Sequence, residues 1–419
     1  RLVGSEMCIR DRGISAVEVY KSSRANVPTG GIGAVINVKT RKPLEMPGFN
    51  AVAVVEGIHD PGTRGGDKFT PEFVGLVSQT FADDTVGVAL SVSSSIRDGG
   101  DQNATTQDFL GRLFVTRDDM DNGALDADGN IKAQSGSIVV GDPTAINFPS
   151  QVSNGIYSIP TNVQYNLDDF TRERVNGQLT LQWRPLETLT GTLDYTYAEN
   201  LSSTHHQDMS AWLGTNCDTR QSEWVQEGDI WSPTTYTNVG CTFDNLQGVG
   251  LFGARDELNA LGLQVEWRPR EDLTLKFDYQ DSKDHSRPNS KHGSNNFVAV
   301  SGMNRITTSA HFTADGMPVL DVQLGERNTP HNQITRVDQF DVNDMQLTGS
   351  SFGAEIKRMD IQQFQFDGEF LFDAGHSLTF GFGHIEVVNR GQNRGIGRNG
   401  NAWNGLGTVS YTHLRAHET

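Results

Sequence analysis

The chain has 419 residues, of which 36% are hydrophobic, and a formal net charge of -18 at pH 7. Its mean hydropathy is -0.46, and no stretch approaches the ~20 apolar residues of a membrane helix, which excludes a helical membrane protein. The acidic balance argues against a nucleic-acid partner, because phosphates attract lysine and arginine. A transmembrane β-barrel stays possible, since its strands alternate apolar and polar residues.

Both ends of the chain differ in character from the rest. Residues 1–12 (RLVGSEMCIRDR) and 409–419 (VSYTHLRAHET) resemble translated adapter sequence at the ends of assembled fragments. We expect both to be non-native and leave them out of the fold prediction. On this interpretation the chain is a fragment, and the lack of an initiator Met and a signal peptide reflects truncation.

A hairpin-like unit is predicted near the start of the chain. Residues 14–21 (ISAVEVYK) and 34–40 (AVINVKT) are rich in β-forming residues and flank a turn with Gly30, Gly31 and Gly33. These glycines permit positive φ and close backbone approach, and a purely structural turn is favoured over a ligand role. Residues 41–48 (RKPLEMPG) contain two prolines and are predicted to be a linker.

Nine longer strands are predicted further along the chain. In 174–183, Leu179 and Leu181 share one face, while Thr180 and Gln182 share the other, as period-two alternation requires. A soluble β-sandwich shows the same alternation, so periodicity alone leaves both architectures open. The predicted strands are 49–58, 72–81, 85–93, 174–183, 189–197, 261–267, 273–280, 363–372 and 378–384.

The lengths of the connections favour the membrane barrel. The links at 82–84, 184–188, 268–272 and 373–376 are tight, whereas those at 98–168, 200–256 and 285–357 run for tens of residues. The first link, 59–70, is intermediate. Outer-membrane barrels place short turns at the periplasmic end and long loops outside. We therefore expect tight turns at one end of the sheet and long, structureless loops at the other.

The faces of the strands can be assigned on the same hypothesis. Two tight turns, 182–195 and 266–279, carry Trp, Arg, Pro, Leu, Thr, Asp and Tyr at matching offsets. Aromatic girdles are expected from Trp183, Trp267 and Phe372 at the inner interface and from Tyr195, Tyr197 and Tyr279 near the outer one; ordinary strand aromatics are the alternative. The predicted lipid face contains Leu179, Leu181, Leu263, Val265, Phe364 and Phe366, and the predicted lumen face Gln178, Thr180, Gln264, Asp278 and Gln365.

Residues 14–44 resemble the end of the plug domain of TonB-dependent outer-membrane receptors. That family shows V-E-V, a Gly-rich turn, G-x-x-x-N-V-x-T and a basic-Pro exit. The matching positions are Val17-Glu18-Val19, Gly30-Gly31, Gly33 to Thr40, and Arg41-Lys42-Pro43. The resemblance covers about 30 residues, and the rest of the chain is similar to the family in architecture alone.

The resemblance implies an all-β fold, in which an incomplete antiparallel transmembrane β-barrel follows the C-terminal end of a plug domain. About nine of the family's 22 strands would lie in residues 45–408, and the plug end in 13–44. The implied function is TonB-dependent active uptake of a scarce nutrient, such as a siderophore, haem, cobalamin or carbohydrate, across the outer membrane of a Gram-negative bacterium. The expected partners are TonB, bound through a segment absent from the fragment, outer-membrane lipid, and a small-molecule or oligosaccharide ligand. A passive porin-type channel is the alternative, and the plug-like segment argues against it.

The link 200–256 carries the candidate ligand-binding residues. Its aromatic side chains would stack on a sugar or an aromatic siderophore, or would instead pack the loop onto itself. Two cysteines in the same link, Cys217 and Cys241, are candidates for a disulfide in an oxidising compartment, with two free thiols as the alternative. The candidate aromatic residues are Trp212, Trp224, Trp231 and Tyr236.

No motif predicts an enzyme, a cofactor or a metal site. The segment 126–130 (DADGN) lacks the rest of a calcium loop, and His205-His206 has no companions at zinc spacing, so we expect both to be solvated loop residues. The G-x-S-x-G, H-E-x-x-H and P-loop patterns are absent from the sequence. The prediction is therefore a non-enzymatic protein.

Overall fold

The computed structural model describes residues 14–21, 34–115, 138–139, 156–213, 218–228, 230–312, 316–324, 327–328, 334–335, 345–372 and 375–398. Within these ranges the chain is built from β-strands and a single-turn 3-10 helix at Pro43–Glu45. None of the described helical residues forms a span long and apolar enough to cross a membrane. The strands are β1 Ile14–Tyr20, β2 Val35–Thr40, β3 Phe49–His59, β4 Phe69–Phe81, β5 Val86–Val115, β6 Ile138–Val139, β7 Ile156–Leu186, β8 Leu189–Trp212, β9 Asp218–Glu227, β10 Ile230–Arg270, β11 Leu273–Pro288, β12 Asn295–His311, β13 Val319–Leu324, β14 Arg327–Asn328, β15 Ile334–Thr335, β16 Gln346–Leu371 and β17 Ser377–Arg398.

One large sheet contains most of the chain. Its long strands lie in the order β3, β4, β5, β7, β8, β10, β11, β16 and β17, and each pairs antiparallel with the next. Strand β12 continues the course of β11, because both lie antiparallel between β10 and β16. The predicted all-β, antiparallel sheet of about nine long strands is confirmed. Strands β1 and β2 form a separate two-stranded sheet.

The tight turns lie together at one end of the sheet, as predicted. The two similar W-R-P turns use the same backbone bond: Arg184 donates to the carbonyl of Thr85, and Arg268 to the carbonyl of Thr188, both at 2.7 Å. Each turn is thereby joined to the residue just before a neighbouring strand, β5 or β8. Sequence similarity between the turns reflects a repeated backbone geometry.

The prediction of long, structureless loops is wrong for much of their length. Strand β5 extends to Val115 and β7 begins at Ile156, with paired residues as far as Leu113 and Ile156. Beyond the apolar part of each strand polar residues occupy both faces, so the alternation that reveals a strand disappears while the hydrogen-bond ladder continues. Residues 116–137 and 140–155 of this link lie outside the described residues.

The two faces of the sheet have opposite polarity and opposite burial. Leu181 exposes 37% of its surface, whereas its polar neighbours Thr180 and Gln182 expose 3% and 8%. On the apolar face Leu181 lies opposite Leu193, and Leu193 lies opposite Leu263. A water-soluble sheet buries its apolar side, so this sheet shows the reverse of the usual arrangement.

Hydrogen bonds between side chains connect neighbouring strands on the polar face. Thr180 donates to Asp194 at 2.5 Å, and the amide of Gln182 donates to the hydroxyl of Thr192 at 3.0 Å. The predicted lumen residue Gln264 donates to Asp278, another member of that set, at 2.7 Å. These bonds join neighbouring strands and allow polar groups to be buried at little cost.

Ion pairs mark the far limit of the apolar band. On the side of the sheet that carries Leu193, Tyr195 and Tyr197, the next position of β8 is Glu199, and Glu257 lies opposite it on β10. Arg255 lies 2.7 Å from Glu199, and Arg287 lies 3.4 Å from Glu257. Charged groups of this kind require water or polar headgroups, so the apolar band ends between Tyr195 and Glu199 on β8.

The two outermost long strands of the sheet each have a free edge in the part of the chain that the structure describes. Strand β3 pairs with β4 alone, and β17 pairs with β16 alone. Each edge therefore presents a row of unpaired backbone N–H and C=O groups.

We predict that residues 1–419, produced alone without detergent, form large assemblies and no monodisperse monomer. Two free edges and an exposed apolar face both favour association in water. Size-exclusion chromatography with light scattering measures the state, and a matched run in detergent is the control. A monomer that unfolds cooperatively in plain buffer would contradict this expectation.

Candidate functional site

The β1–β2 hairpin is held by a polar cluster on Glu18. Its carboxylate accepts hydrogen bonds from Lys39 at 2.6 Å, Tyr20 at 2.6 Å and Asn37 at 3.1 Å. The Lys39 ammonium, followed by the Tyr20 hydroxyl, lowers the pKa of Glu18 to about 2. The same contact raises the pKa of Lys39.

The hairpin also presents apolar side chains to its surroundings. Val17 lies opposite Val38, and Val19 lies opposite Ile36, and each exposes more than half of its surface. An isolated two-stranded hairpin is marginal in water, so its stability depends on further packing. The predicted turn glycines Gly30, Gly31 and Gly33 lie outside the described residues.

The segment after the hairpin, Thr40–Met46, crosses the polar face of the main sheet, and we call it the exit segment. The Lys42 ammonium lies 2.7 Å from Asp194 on β8. The backbone N–H of Leu44 donates to Gln182 on β7 at 2.9 Å. Both acceptors belong to the hydrogen-bonded rows of the polar face, so the exit segment binds groups that the sheet already holds in place.

Close packing adds to these polar contacts. Pro43 and Leu44 are buried in the single-turn helix. The backbone N–H groups of Glu45 and Met46 donate to the carbonyls of Lys42 and Pro43 and close this turn. A β-carbon added to Gly87 on β5 would lie 2.8 Å from the Pro43 ring. Only glycine at position 87 allows the exit segment to approach the sheet so closely.

The four candidate ligand-binding aromatics differ in their surroundings. Tyr236 exposes 1% of its surface and lies in a core cluster, against which Trp224 and Trp231 pack. Trp212 exposes 47%. The cluster also contains Val163 of β7 and Ala310 of β12, so these three aromatic side chains pack against neighbouring strands as well as against their own link. A ligand-binding role for the four aromatic residues stays a prediction.

The predicted disulfide falls outside the described side chains. Cys217 lies outside the described residues, and of Cys241 only the backbone, in β10, is described. The disulfide between them stays a prediction.

A second polar cluster, which sequence reasoning missed, surrounds His206 on β8. Its Nδ1 lies 2.6 Å from Asp168 and its Nε2 lies 3.2 Å from Asp208, and the ring lies 5.7 Å from the ring of Phe252. The expectation of a solvated loop histidine is wrong for His206, because β8 runs through it and its side chain is largely buried. Adjacent histidines on a strand point to opposite faces, and that alternation was the available signal.

In the described ranges, no group of three or more His, Cys, Asp and Glu side chains is arranged to hold a metal ion. No protein-family model matches the sequence, and comparison with curated proteins finds no match.

We predict that Lys42→Ala frees the exit segment from the sheet. The ammonium and Asp194 are each about one-fifth exposed, so the loss should be roughly 1–2 kcal/mol, below the value for a fully buried charged bond. Faster trypsin cleavage after Arg41 measures the release. Lys291→Ala is the control, because that lysine lies in the distant turn between β11 and β12. Equal cleavage rates in the two variants would refute the anchor.

We further predict a pH dependence confined to the β1–β2 hairpin. The pKa of Glu18 is lowered in the fold from 4.5 to about 2, so its contribution is complete above pH 4.5 and is lost as the pH falls towards 2. Amide exchange at Val17 and Val19 should therefore differ between the parent chain and Glu18→Gln near pH 6 and converge near pH 2. A difference that persists at pH 2 would contradict the expectation.

Proposed function

We propose that this chain forms part of the wall and the plug exit of an outer-membrane transporter that takes up a scarce nutrient with energy supplied through TonB. The observation that carries the proposal is the reversed polarity of the sheet. A sheet that exposes leucine and buries threonine suits hydrocarbon on one side and a polar interior on the other.

The dimensions of the apolar band support a membrane location. On β8 the band runs from Leu189 to Tyr197, which is about nine residues. At ~3.3 Å per residue and a tilt of ~40°, that length spans about 23 Å, close to the band of ~25 Å on outer-membrane barrels. Trp183 and Trp267 lie exposed beside the tight turns, where an interfacial girdle is expected. The free edges β3 and β17 would then pair with further strands of a closed wall, because an open edge is not viable in lipid.

The exit segment favours gated uptake over the alternative, a passive porin-type channel. Lys42 and Leu44 bind the polar face, which would line the lumen, through groups that β7 and β8 hold in place. A passive channel needs no chain segment anchored across its interior. The similarity of residues 14–44 to a plug end supports the same conclusion.

The membrane location can be tested with paired spin labels in the gene product as cells produce it. A label replacing Leu181 should be relaxed by lipid-soluble oxygen, and a label replacing Gln182 by a water-soluble nickel chelate. A label replacing Glu199, beyond the apolar band, is the control and should meet the water-soluble reagent. Equal accessibility at positions 181 and 182 would overturn the membrane proposal.

Gating can be tested with a large hydrophilic antibiotic such as vancomycin. Cells that produce the protein without residues 14–44 should become sensitive, because removal of the plug end and its anchor opens the lumen. Cells that produce the intact protein or the Lys291→Ala variant should stay resistant. Unchanged resistance after the deletion would favour the passive-channel alternative.

A further inference from the structure

The polar face contains a cavity where the course of β11 is interrupted. Strand β11 ends at Pro288 and β12 begins at Asn295, and the six residues between them form a turn opposite a single position of β10, Gly253. Proline cannot donate to the ladder, and Gly293 adopts a φ of +116°, a conformation that favours glycine. A cavity of about 500 Å³ lies beside the interruption, within the usual size range of small-molecule sites.

Glycines in the neighbouring strands contribute to the open space. Gly353 on β16 lies opposite Gly395 on β17, and both line the cavity, as does Gly253 on β10. The carbonyl of Gly353 accepts the N–H of Ser294 at 2.8 Å, which fixes the edge of the interruption. Glycine within a strand often marks the close approach of a ligand or of another backbone.

One aromatic ring and several neutral polar groups supply the chemistry of the cavity. Phe252 lines it, supported on one side by the bare backbone of Gly250, where an added β-carbon would lie 2.7 Å from the ring. The His206 ring is fixed between two aspartates, and its centroid lies 5.7 Å from that of the Phe252 ring, so it restrains that ring. The neutral polar lining is Ser202, Thr204, Ser294, Asn295, Ser351 and Asn393.

The charge of the lining distinguishes between classes of ligand. Glu355 is the one charged residue among the described residues that line the cavity, and Lys357 lies 2.8 Å from its carboxylate. An anionic ligand such as a ferric chelate would require a cationic lining, which the described lining residues do not supply. A neutral ligand with many hydroxyl groups matches the hydroxyl and amide side chains, and its flat C–H face matches a phenyl ring.

We propose that this cavity is the binding site for a neutral, polyhydroxylated ligand with the chemistry of an oligosaccharide. Phe252 stacks against a sugar ring, and Asn393 and Ser351 exchange hydrogen bonds with its hydroxyl groups. The inference rests on the proposed function, since it makes the cavity a substrate site on the wall of the transporter.

The test is direct binding to outer membranes from cells that produce the gene product. The probes are labelled maltohexaose, cellohexaose and xylohexaose, with labelled ferric citrate as the anionic comparison. At least one hexasaccharide should bind saturably and ferric citrate should not. Absence of saccharide binding, or saturable binding of ferric citrate at this cavity, would overturn the proposal.

Matched variants locate the site. Phe252→Ala should weaken saccharide binding roughly five- to tenfold, as loss of an aromatic contact predicts, whereas Phe252→Tyr should retain it. Leu251→Ala is the control, because the adjacent side chain lies on the apolar face and is exposed.

A second variant, on the edge strand β17, tests the site even if Phe252→Ala fails to fold. Asn393 lies exposed on β17, so Asn393→Ala should fold normally and weaken binding roughly threefold. Equal affinity in the parent chain, Phe252→Ala and Asn393→Ala would place any saccharide elsewhere and overturn the proposal. The spin labels at positions 181 and 182 report on the membrane proposal separately, so the two can fail independently.

Discussion

The structure depends on a single constraint: polar side chains buried on one face of the sheet need hydrogen-bond partners within that face, because the opposite face is apolar and exposed. Thr180 and Gln182 are almost fully buried, yet each has a partner on the neighbouring strand in Asp194 and Thr192. An unpaired buried polar group costs about 1–3 kcal/mol, so these cross-strand rows are a condition of stability. The rows also fix the acceptors that the exit segment uses.

The sequence predicted the central part of the sheet well and its outer part poorly, for a physical reason. Around Leu179 and Leu181 one face meets an apolar environment and the other a polar one, so alternation is strong. Beyond Glu199 on β8, and in the outer parts of β5 and β7, polar residues are frequent on both faces, so the strands continue with a weaker periodic signal.

Candidate site residues were predictable only where local chemistry was unusual. The basic-Pro exit at Arg41-Lys42-Pro43 was identified, but its partner Asp194 lies 152 residues away and no local pattern connects the two. Gly87 illustrates the same limit, because its role appears only when Pro43 packs over it. The link 200–256 was identified by its concentration of tryptophan. Its sequence could not show whether these aromatic side chains form a core or a binding surface. The burial of Tyr236 distinguishes them for that residue.

The distance between the exit segment and the cavity constrains how a ligand could influence the exit. Both contact β8 on the same face, at Asp194 and at Thr204. Ten residues of strand separate these positions by roughly 33 Å, so no small ligand in the cavity touches Lys42. Strand β8 is paired on both sides over this interval, so it connects the two positions rigidly. The Lys42–Asp194 anchor should therefore remain intact while the cavity fills.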